Sequence, residues 1–426
     1  MSPEPGRSRS EAEEAFQLTV RENLPRNYAA HLLHGLLGQT GFRLINAPTF
    51  IPAYFYLISG GSDLAVGAAR AFQSLGMFLS PILGATAIEH RPRVLPVGFL
   101  IGGLMRLQVL GLAISGFALA GQPALLSAFL FLGLFGFFLG IQGVIFGFLV
   151  SKVIPLERRG RLLGLRNALA TVTAAVVGAL GGRLVDLDAF GNGYAATFAL
   201  AFLLTSLGLA VLLFMREPES PAVREPSDFR QRLAQLPALL RSDPEFTRYF
   251  LARALATMGR MSVPFYVIYA GTRIELTGRV LGDLTLAFVA AQGATNLLWG
   301  AIADRRGFRV VFLCSICLWI LSALLLMGSH SHGALVAVMV VLGAGIGGFM
   351  MSSQNLVLEF GSRENLPMRI AVANSASELM GAVGPLLAGA LAFLHSYVAV
   401  FWTAIGFQVA AVIWVGLFIP DPRRRN

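Results

Sequence analysis

Four ionisable side chains stand near the centres of long apolar runs: Arg43, Arg106, Arg260 and Glu378. A charge in hydrocarbon is costly, and the few that occur face a cavity, a partner or a substrate path. Arginine forks match carboxylate or phosphate oxygens in pairs. Arg43 and Arg260 facing one site would repel each other unless an anion lay between them, which describes a substrate clamp. The competing reading pairs them with a buried acid such as Glu378. Asn46 lies one turn from Arg43, and Arg253 and Thr257 share the helical face of Arg260. Glu378 follows Asn374 by four residues, so these two also share a face. Two roles are open for that carboxylate: a coupling group that carries a proton, or one end of a fixed salt bridge. Arg106 is read as a structural tie.

Neutral polar groups add hydrogen-bonding candidates. Ser352, Ser353, Gln354 and Asn355 cluster in one apolar run, and Gln142 is their nearest counterpart in another. Contact with substrate and helix-to-helix hydrogen bonding explain them equally well. Phe50, Tyr54, Phe55 and Tyr56, with Phe265, Tyr266 and Tyr269, fit an interfacial belt, or an external gate or apolar wall for an amphiphilic substrate. Other chemistries find few residues. Cys314 and Cys317 form a CxxC with no second pair and no adjacent histidine, which reads as small packing residues in a buried helix. His31 and His34 have no clear carboxylate partner. There is no phosphate-binding loop of the Walker type, and no His/Asp/Glu cluster suited to metal or acid–base catalysis. The expectation is no cofactor, no metal and no enzyme activity.

These residues need elements that hold them at depth. Of 426 residues, 55% are hydrophobic and 13% charged, about half the charged share of an ordinary soluble domain. Mean hydropathy is +0.69. The apolar residues fall into blocks of ~20 or more, long enough to cross a hydrocarbon core of ~30 Å as helices. Spans are expected at about 30–58, 64–88, 94–118, 123–151, 160–184, 194–215, 247–271, 279–303, 308–328, 333–359, 367–393 and 397–419. The fold class is therefore all-α integral membrane with about twelve transmembrane helices, an even number that puts both termini on one side.

The net charge of +10 is almost wholly arginine, since Lys152 is the only lysine. It concentrates in alternate loops: Arg91 and Arg93, Lys152 to Arg161, Arg216 to Arg248, Arg305 to Arg309, and Arg423 to Arg425. Cytoplasmic loops carry such charge, so both termini are expected in the cytoplasm and the chain in the plasma (cytoplasmic) membrane. No basic stretch is interleaved with stacking aromatics, which argues against nucleic acid. The expected layout has a cytoplasmic segment 1–28, whose Ser10-x-x-Glu13 pattern opens a short amphipathic helix. Six-helix bundles follow at 29–215 and 247–419, joined by a linker 216–246 and followed by a basic tail 420–426. Within the linker, Phe229, Leu233 and Leu236 share one face of FRQRLAQLPALL, as in a helix lying on the membrane surface. The first residues lack the basic start and apolar core of a cleaved signal peptide.

The halves repeat. One offset of 207 residues pairs Gly136 with Gly343, Gly140 with Gly347, Asn167 with Asn374 and Gly182 with Gly389, and another pairs Pro52 with Pro264 and Tyr54 with Tyr266. Parallel duplicated halves are a known route to secondary transporters. Gly133, Gly136, Gly140, Gly143 and Gly147 form a strip along the fourth run that suits close helix packing. Between the eighth and ninth runs, Gly300-Ala-Ile-Ala-Asp304-Arg305-Arg306-Gly307-Phe308-Arg309 resembles the G-x-x-x-D-R-x-G-R-[KR] loop of the major facilitator superfamily, with Phe308 where a basic residue is usual. The loop after the second run, Gly84 to Arg93, is a degenerate copy with Pro92 in place of the turn glycine, and Glu157-Arg-Arg159-Gly160-Arg161 is also similar to the family.

The resemblance implies two pseudo-symmetric bundles that rock around a central site, with the first and seventh spans lining it. It makes Arg43 and Arg260 counterparts, an arrangement similar to that of the superfamily's organophosphate antiporters. It gives the loop at Gly300, Asp304, Arg305, Gly307 and Arg309 a gating role, latching one half against the other. The expected function is secondary active transport of a small or amphiphilic organic solute, anionic rather than cationic, with protons as a candidate coupling ion. Arg43, Asn46, Arg260, Gln142, Gln354 and Asn355 are the expected substrate contacts, and Glu378 and Asn374 the coupling residues. The expected partners are that solute and the lipid bilayer, and a monomer is expected. Two alternatives remain: a lipid or hydrophobic-drug exporter or flippase of the same fold, and a non-transporting assembly scaffold.

Overall fold

The computed structural model describes residues 9–220, 240–241, 243–357 and 366–419, and all regular structure among them is helical. An exposed helix, α1 (Arg9–Glu22), leads into a first span built in pieces: α2 (Leu24–His34), a π-turn at Gly35–Gln39, α3 (Thr40–Asn46) and α4 (Phe50–Ile58). Then come α5 (Asp63–Ile88), α6 (Leu95–Ala118), α7 (Gly121–Val153), α8 (Leu156–Asp186) and α9 (Gly193–Val211). The second half opens with another broken span, α10 (Pro244–Met258), a 3-10 turn at Gly259–Ser262 and α11 (Phe265–Gly271). It continues through α12 (Gly278–Arg306), α13 (Phe308–Gly328), α14 (His332–Leu356), α15 (Leu366–Leu394) and α16 (Tyr397–Phe418).

Among the described residues ten helices, α5 to α9 and α12 to α16, are long and apolar enough to cross a membrane unbroken. The two pieced segments coincide with the other two expected spans. Proline explains one break: Ala47 is extended (φ −62°, ψ 145°), as a residue preceding proline prefers, and Pro48 follows. Lipid-facing positions carry large apolar side chains in the open; Leu100, Leu126, Val172 and Leu297 are 62%, 65%, 67% and 80% exposed. Spread over a whole bundle, such surface aggregates in water but is solvated by hydrocarbon. The linker stretch 229–236, the tail 420–426 and Ser10's side chain lie outside the described residues.

Two long helix pairs join the halves, α5 packing on α15 and α8 on α12, and α4 touches α11 beside them. Both contacts run from mid-helix to the end opposite the arginine-rich loops. Close approach there needs glycine. A Cβ on Gly182 would lie 2.2 Å from the Gly278 carbonyl oxygen, and one on Gly67 would lie 2.2 Å from that of Pro385, beside Gly389. Gly182 and Gly389 are repeat partners, so the two seams are related by the internal symmetry. Polar ties reinforce them. Asp186 accepts from the backbone N–H of Gly278 and, at 2.9 Å, of Arg279, capping α12 from the other half. Tyr397 donates to Asp63 at 2.8 Å, and the Thr49 and Thr285 hydroxyls meet at 2.6 Å. Nearer the basic face, Gly143, Gly147, Gly160 and Gly164 have nothing within 4 Å. The glycine strip of α7 therefore divides: Gly136 and Gly140 pack against α5 at Gln73 and Ser80, while Gly143 and Gly147 do not pack.

The basic face of the first half is tied by the lone lysine. Lys152 pairs with Glu217 at 2.8 Å, their side chains only 3% and 2% exposed. Glu217 also accepts from the N–H groups of Val94 and Leu95, closing the N-terminus of α6. Asn27 makes a reciprocal pair of 2.9 Å bonds with the Arg216 backbone.

Two outcomes are expected. Gly278→Val should prevent seam closure. In a C314S/C317S background, a cysteine at Val66 should react several-fold faster with an impermeant maleimide added from the closed side. Lys152→Met strands a buried carboxylate, a change that costs about 3–5 kcal/mol. It should lower the melting temperature of purified protein, and the double replacement with Glu217→Leu should recover most of the loss.

Candidate functional site

A cavity of about 420 Å³ lies between the halves, and both broken spans reach it. In lipid, a helix can open only where protein or a water-filled cavity satisfies its freed backbone groups. Arg43 and Asn46 sit just before the break in span 1, and Arg260 lies in the 3-10 turn of span 7. All three line the cavity with Glu378 of α15. Arg260 Nη1 is 3.9 Å from Glu378 Oε1, beyond hydrogen-bond length, with the side chains 27% and 17% exposed. Glu378 Oε2 is buried with no hydrogen-bond partner. Arg43 donates to the Thr171 hydroxyl at 2.9 Å.

The cavity also holds residues the sequence reasoning passed over: Arg70 and Gln73 of α5, and Gln292 of α12. Arg70 donates to Gln73 Oε1 at 2.6 Å, Gln73 donates to Asn46 Oδ1 at 2.9 Å, and Asn46 donates to the Phe42 carbonyl at 3.0 Å. Arg70 was legible as an arginine inside the expected 64–88 span; it lies about two turns from the end, away from the centre where the embedded charges were sought.

Other expected contacts lie off the cavity. Gln142 points toward Gly102 of α6, inside the first half. Gln354 is exposed, and Asn355 donates to the Met351 carbonyl of its own helix at 2.8 Å. Ser352 and Ser353 likewise bond their own helix, at 2.7 and 3.2 Å. Asn374 shares the Glu378 helix but accepts from Arg253 at 2.8 Å, within the second half. Arg106 is a structural tie, donating to the Thr205 and Gly102 carbonyls at 2.6 and 2.7 Å. Of the aromatic group, Phe50, Tyr54, Phe55, Phe265, Tyr266 and Tyr269 are buried in the core and not among the cavity-lining residues, Tyr56 is half-buried, and Tyr266 bonds Ser322 at 2.8 Å. Cys314 and Cys317 are exposed on α13 rather than packed.

In the expected gating loop, Gly307 adopts φ +86°, a conformation glycine supplies, and makes the turn from α12 to α13. Arg309 donates to the Val415 carbonyl at 3.3 Å, tying the loop to α16 of its own half. Asp304 and Arg305 are exposed at the end of α12, and a Cβ on Gly300 would touch only Met351, at 3.7 Å.

A duplicated bundle with its first and seventh helices broken around a shared charged cavity is an arrangement common among secondary transporters. Comparison with known proteins agrees. The Major Facilitator Superfamily pattern matches residues 249–426. The chain is 25% identical over 375 residues to the multi-drug resistance efflux pump PmrA homolog of Lactococcus lactis, covering 86% of this chain and 88% of that protein. It is 24% identical over 202 residues to the MFS-type transporter TwmF of Talaromyces wortmannii, 46% of this chain and 36% of that one. Among solved structures, the nucleoside transporter NupG shares the fold with a TM-score of 0.73 at 14% identity, covering 91% of this chain and 100% of that one. The second half of the chain thus carries the Major Facilitator Superfamily pattern, and the chain resembles membrane transporters over most of its length.

Arg70 hydrogen-bonds only to the neutral Gln73, with Glu378 near enough to act on its charge, so a bound anion can engage it. Arg70→Gln should leave the melting temperature of the purified protein within about 2 °C, because the amide retains the hydrogen bond to Gln73, while weakening solute-dependent stabilisation at least tenfold, an effect of about 1.4 kcal/mol.

Proposed function

We propose that the protein is a secondary active transporter that moves a small or amphiphilic anionic organic solute by alternating access, with Glu378 as the coupling carboxylate. The observation that carries this reading is the charge balance of the cavity. Arg43, Arg70 and Arg260 face it with Glu378 as the only lining carboxylate among the described residues. Arg43 and Arg70 have hydroxyl and amide partners instead of acids. Buried cations without counter-ions are costly, and a bound anion removes that cost. An orphaned carboxylate oxygen beside a loosely held arginine suits a group that exchanges a proton as the substrate comes and goes.

If the arginine-rich face is cytoplasmic, the sealed seams lie outside and the cavity opens inward, the state in which an exporter would load. The efflux role named for the Lactococcus relative supports the same direction. That name and the cavity's aromatic side also favour a second reading, export of hydrophobic drugs, in which the arginines would be structural. We place the protein in the cytoplasmic membrane with both termini inside, working as a monomer of two bundles at 29–215 and 247–419, with the α12–α13 loop latching the halves in the opposite conformation.

Transport into inside-out liposomes decides between the two. Arg43→Gln and Arg260→Gln should each abolish uptake of an organic anion while leaving a monodisperse, normally melting protein. Survival of transport in both would sink the anion reading. Glu378→Gln should preserve exchange of bound solute but remove the response to a pH gradient; an unchanged response would remove Glu378 from the coupling step.

A further inference from the structure

Both halves line the cavity with polar and apolar residues, but the aromatic cluster Phe288, Trp319 and Phe349 belongs to the second half, while Arg43, Asn46, Arg70 and Gln73 belong to the first. The polar side is held in place by the relay from Arg70 through Gln73 and Asn46 to the Phe42 carbonyl. The aromatic side is equally fixed. The Phe349 ring lies 5.7 Å from that of Trp319 and 5.5 Å from that of Phe312, centroid to centroid. Phe288, Trp319 and Phe349 are 6%, 1% and 5% exposed, so Phe288 and Phe349 offer the cavity a small, fixed area and Trp319 backs Phe349 from behind.

Resting on the anion reading above, we propose that the cavity binds an amphiphilic monoanion in one orientation, with its charged head on Arg43 and Arg70 and a compact aromatic body on the shelf of Phe288, Trp319 and Phe349. Arg260 is the least available of the three arginines because Glu378 already faces it. That leaves the two first-half arginines, whose hydrogen-bond partners are neutral, as the head site, with the Glu378 charge reaching Arg70 more weakly than it faces Arg260. Shape restricts the body. A cavity of about 420 Å³ is at the small end of ligand pockets, which run from about 300 to 1,000 Å³. It suits one or two fused rings and excludes a two-chain lipid. Aromatic rings gain offset or edge contacts with such a shelf beyond simple burial of area. Phe349 is then the residue that sets specificity for the body, and Arg70 the one that sets it for the head. Head and body therefore sit on opposite halves, so the solute itself bridges the two bundles that must move.

The test uses full-length protein in nanodiscs, with apparent dissociation constants from dose-dependent thermal stabilisation by 1-naphthoate, propionate and 1-naphthalenemethanol. Wild type should bind naphthoate roughly tenfold or more tighter than propionate, as burial of an aromatic body predicts. Phe349→Ala should shrink that ratio about tenfold and Phe349→Leu much less, each variant being checked for monodispersity and unliganded melting temperature. Equal binding of propionate and naphthoate, or a ratio unmoved in Phe349→Ala, overturns the orientation and leaves the anion reading intact. Naphthalenemethanol binding as tightly as naphthoate in both wild type and Arg70→Gln overturns the anion reading too. Failure of naphthoate to stabilise the wild type at all overturns the proposal outright.

Discussion

Hydrocarbon offers a backbone amide or carbonyl nothing to bond with, so a membrane helix can be opened only where protein or a cavity takes over its freed groups. This constraint sets the plan of the molecule. The unbroken helices make a wall, and the opened ones, spans 1 and 7, are confined to the shared hollow. The same breaks deliver Arg43 and Arg260 there, one just before the extended Ala47 and the other inside the Gly259–Ser262 turn. An arginine at mid-membrane depth needs a polar surrounding as much as an open backbone does. Broken helix and embedded charge therefore meet a single requirement at one place.

The second element of the plan is symmetry in the seams. Gly182 meets Gly278, and Gly67 meets Pro385 and Gly389, at equivalent positions of the duplicated halves. Backbone-to-backbone approach of this kind needs only small residues and leaves few side chains to disentangle when the halves part. Asp186 caps α12 with two hydrogen bonds across the boundary, and Tyr397 reaches Asp63. Such ties reinforce two of the more extensive helix–helix contacts in the molecule, both at one end. Contacts confined to one end let two bundles rock about it.

Much of this was legible in the sequence, for physical reasons. Membrane helices announce themselves because a bilayer demands ~20 apolar residues in a row, and the expected 64–88 span is the observed Asp63–Ile88 nearly residue for residue. The repeat pair Gly182 and Gly389 foreshadowed the seams. Which side of a helix faces the cavity was harder to read, because lipid-facing, core-facing and cavity-facing sides are all largely apolar. Hence Ser352, Gln354 and Asn355 resembled substrate contacts and proved to bond their own helix or to be exposed, while Arg70, nearer the end of its span than Arg43, lines the cavity all the same. Asn374 and Glu378 share a face by spacing, yet a neighbour on α10 claims the first and the cavity claims the second. Periodicity gives direction about a helix axis; only the neighbours decide what lies there.

The two internal ion pairs show how the same chemistry is set up for different ends. Lys152 and Glu217 stand 2.8 Å apart, almost fully enclosed, with backbone amides bonded to the carboxylate. Every lone pair so engaged makes the pair harder to open, which suits a fastening that ties α6 and α7 to the chain beyond α9. Arg260 and Glu378 stand 3.9 Å apart, partly exposed to the cavity, with one carboxylate oxygen bonded to nothing. A pair so loosely made gives up little when one member is drawn away, and its unsatisfied oxygen has something to gain from a proton or a new donor. A stronger bond at that point would hold the empty cavity in one state. The weaker one leaves the second half's charge free to respond to what the first half binds.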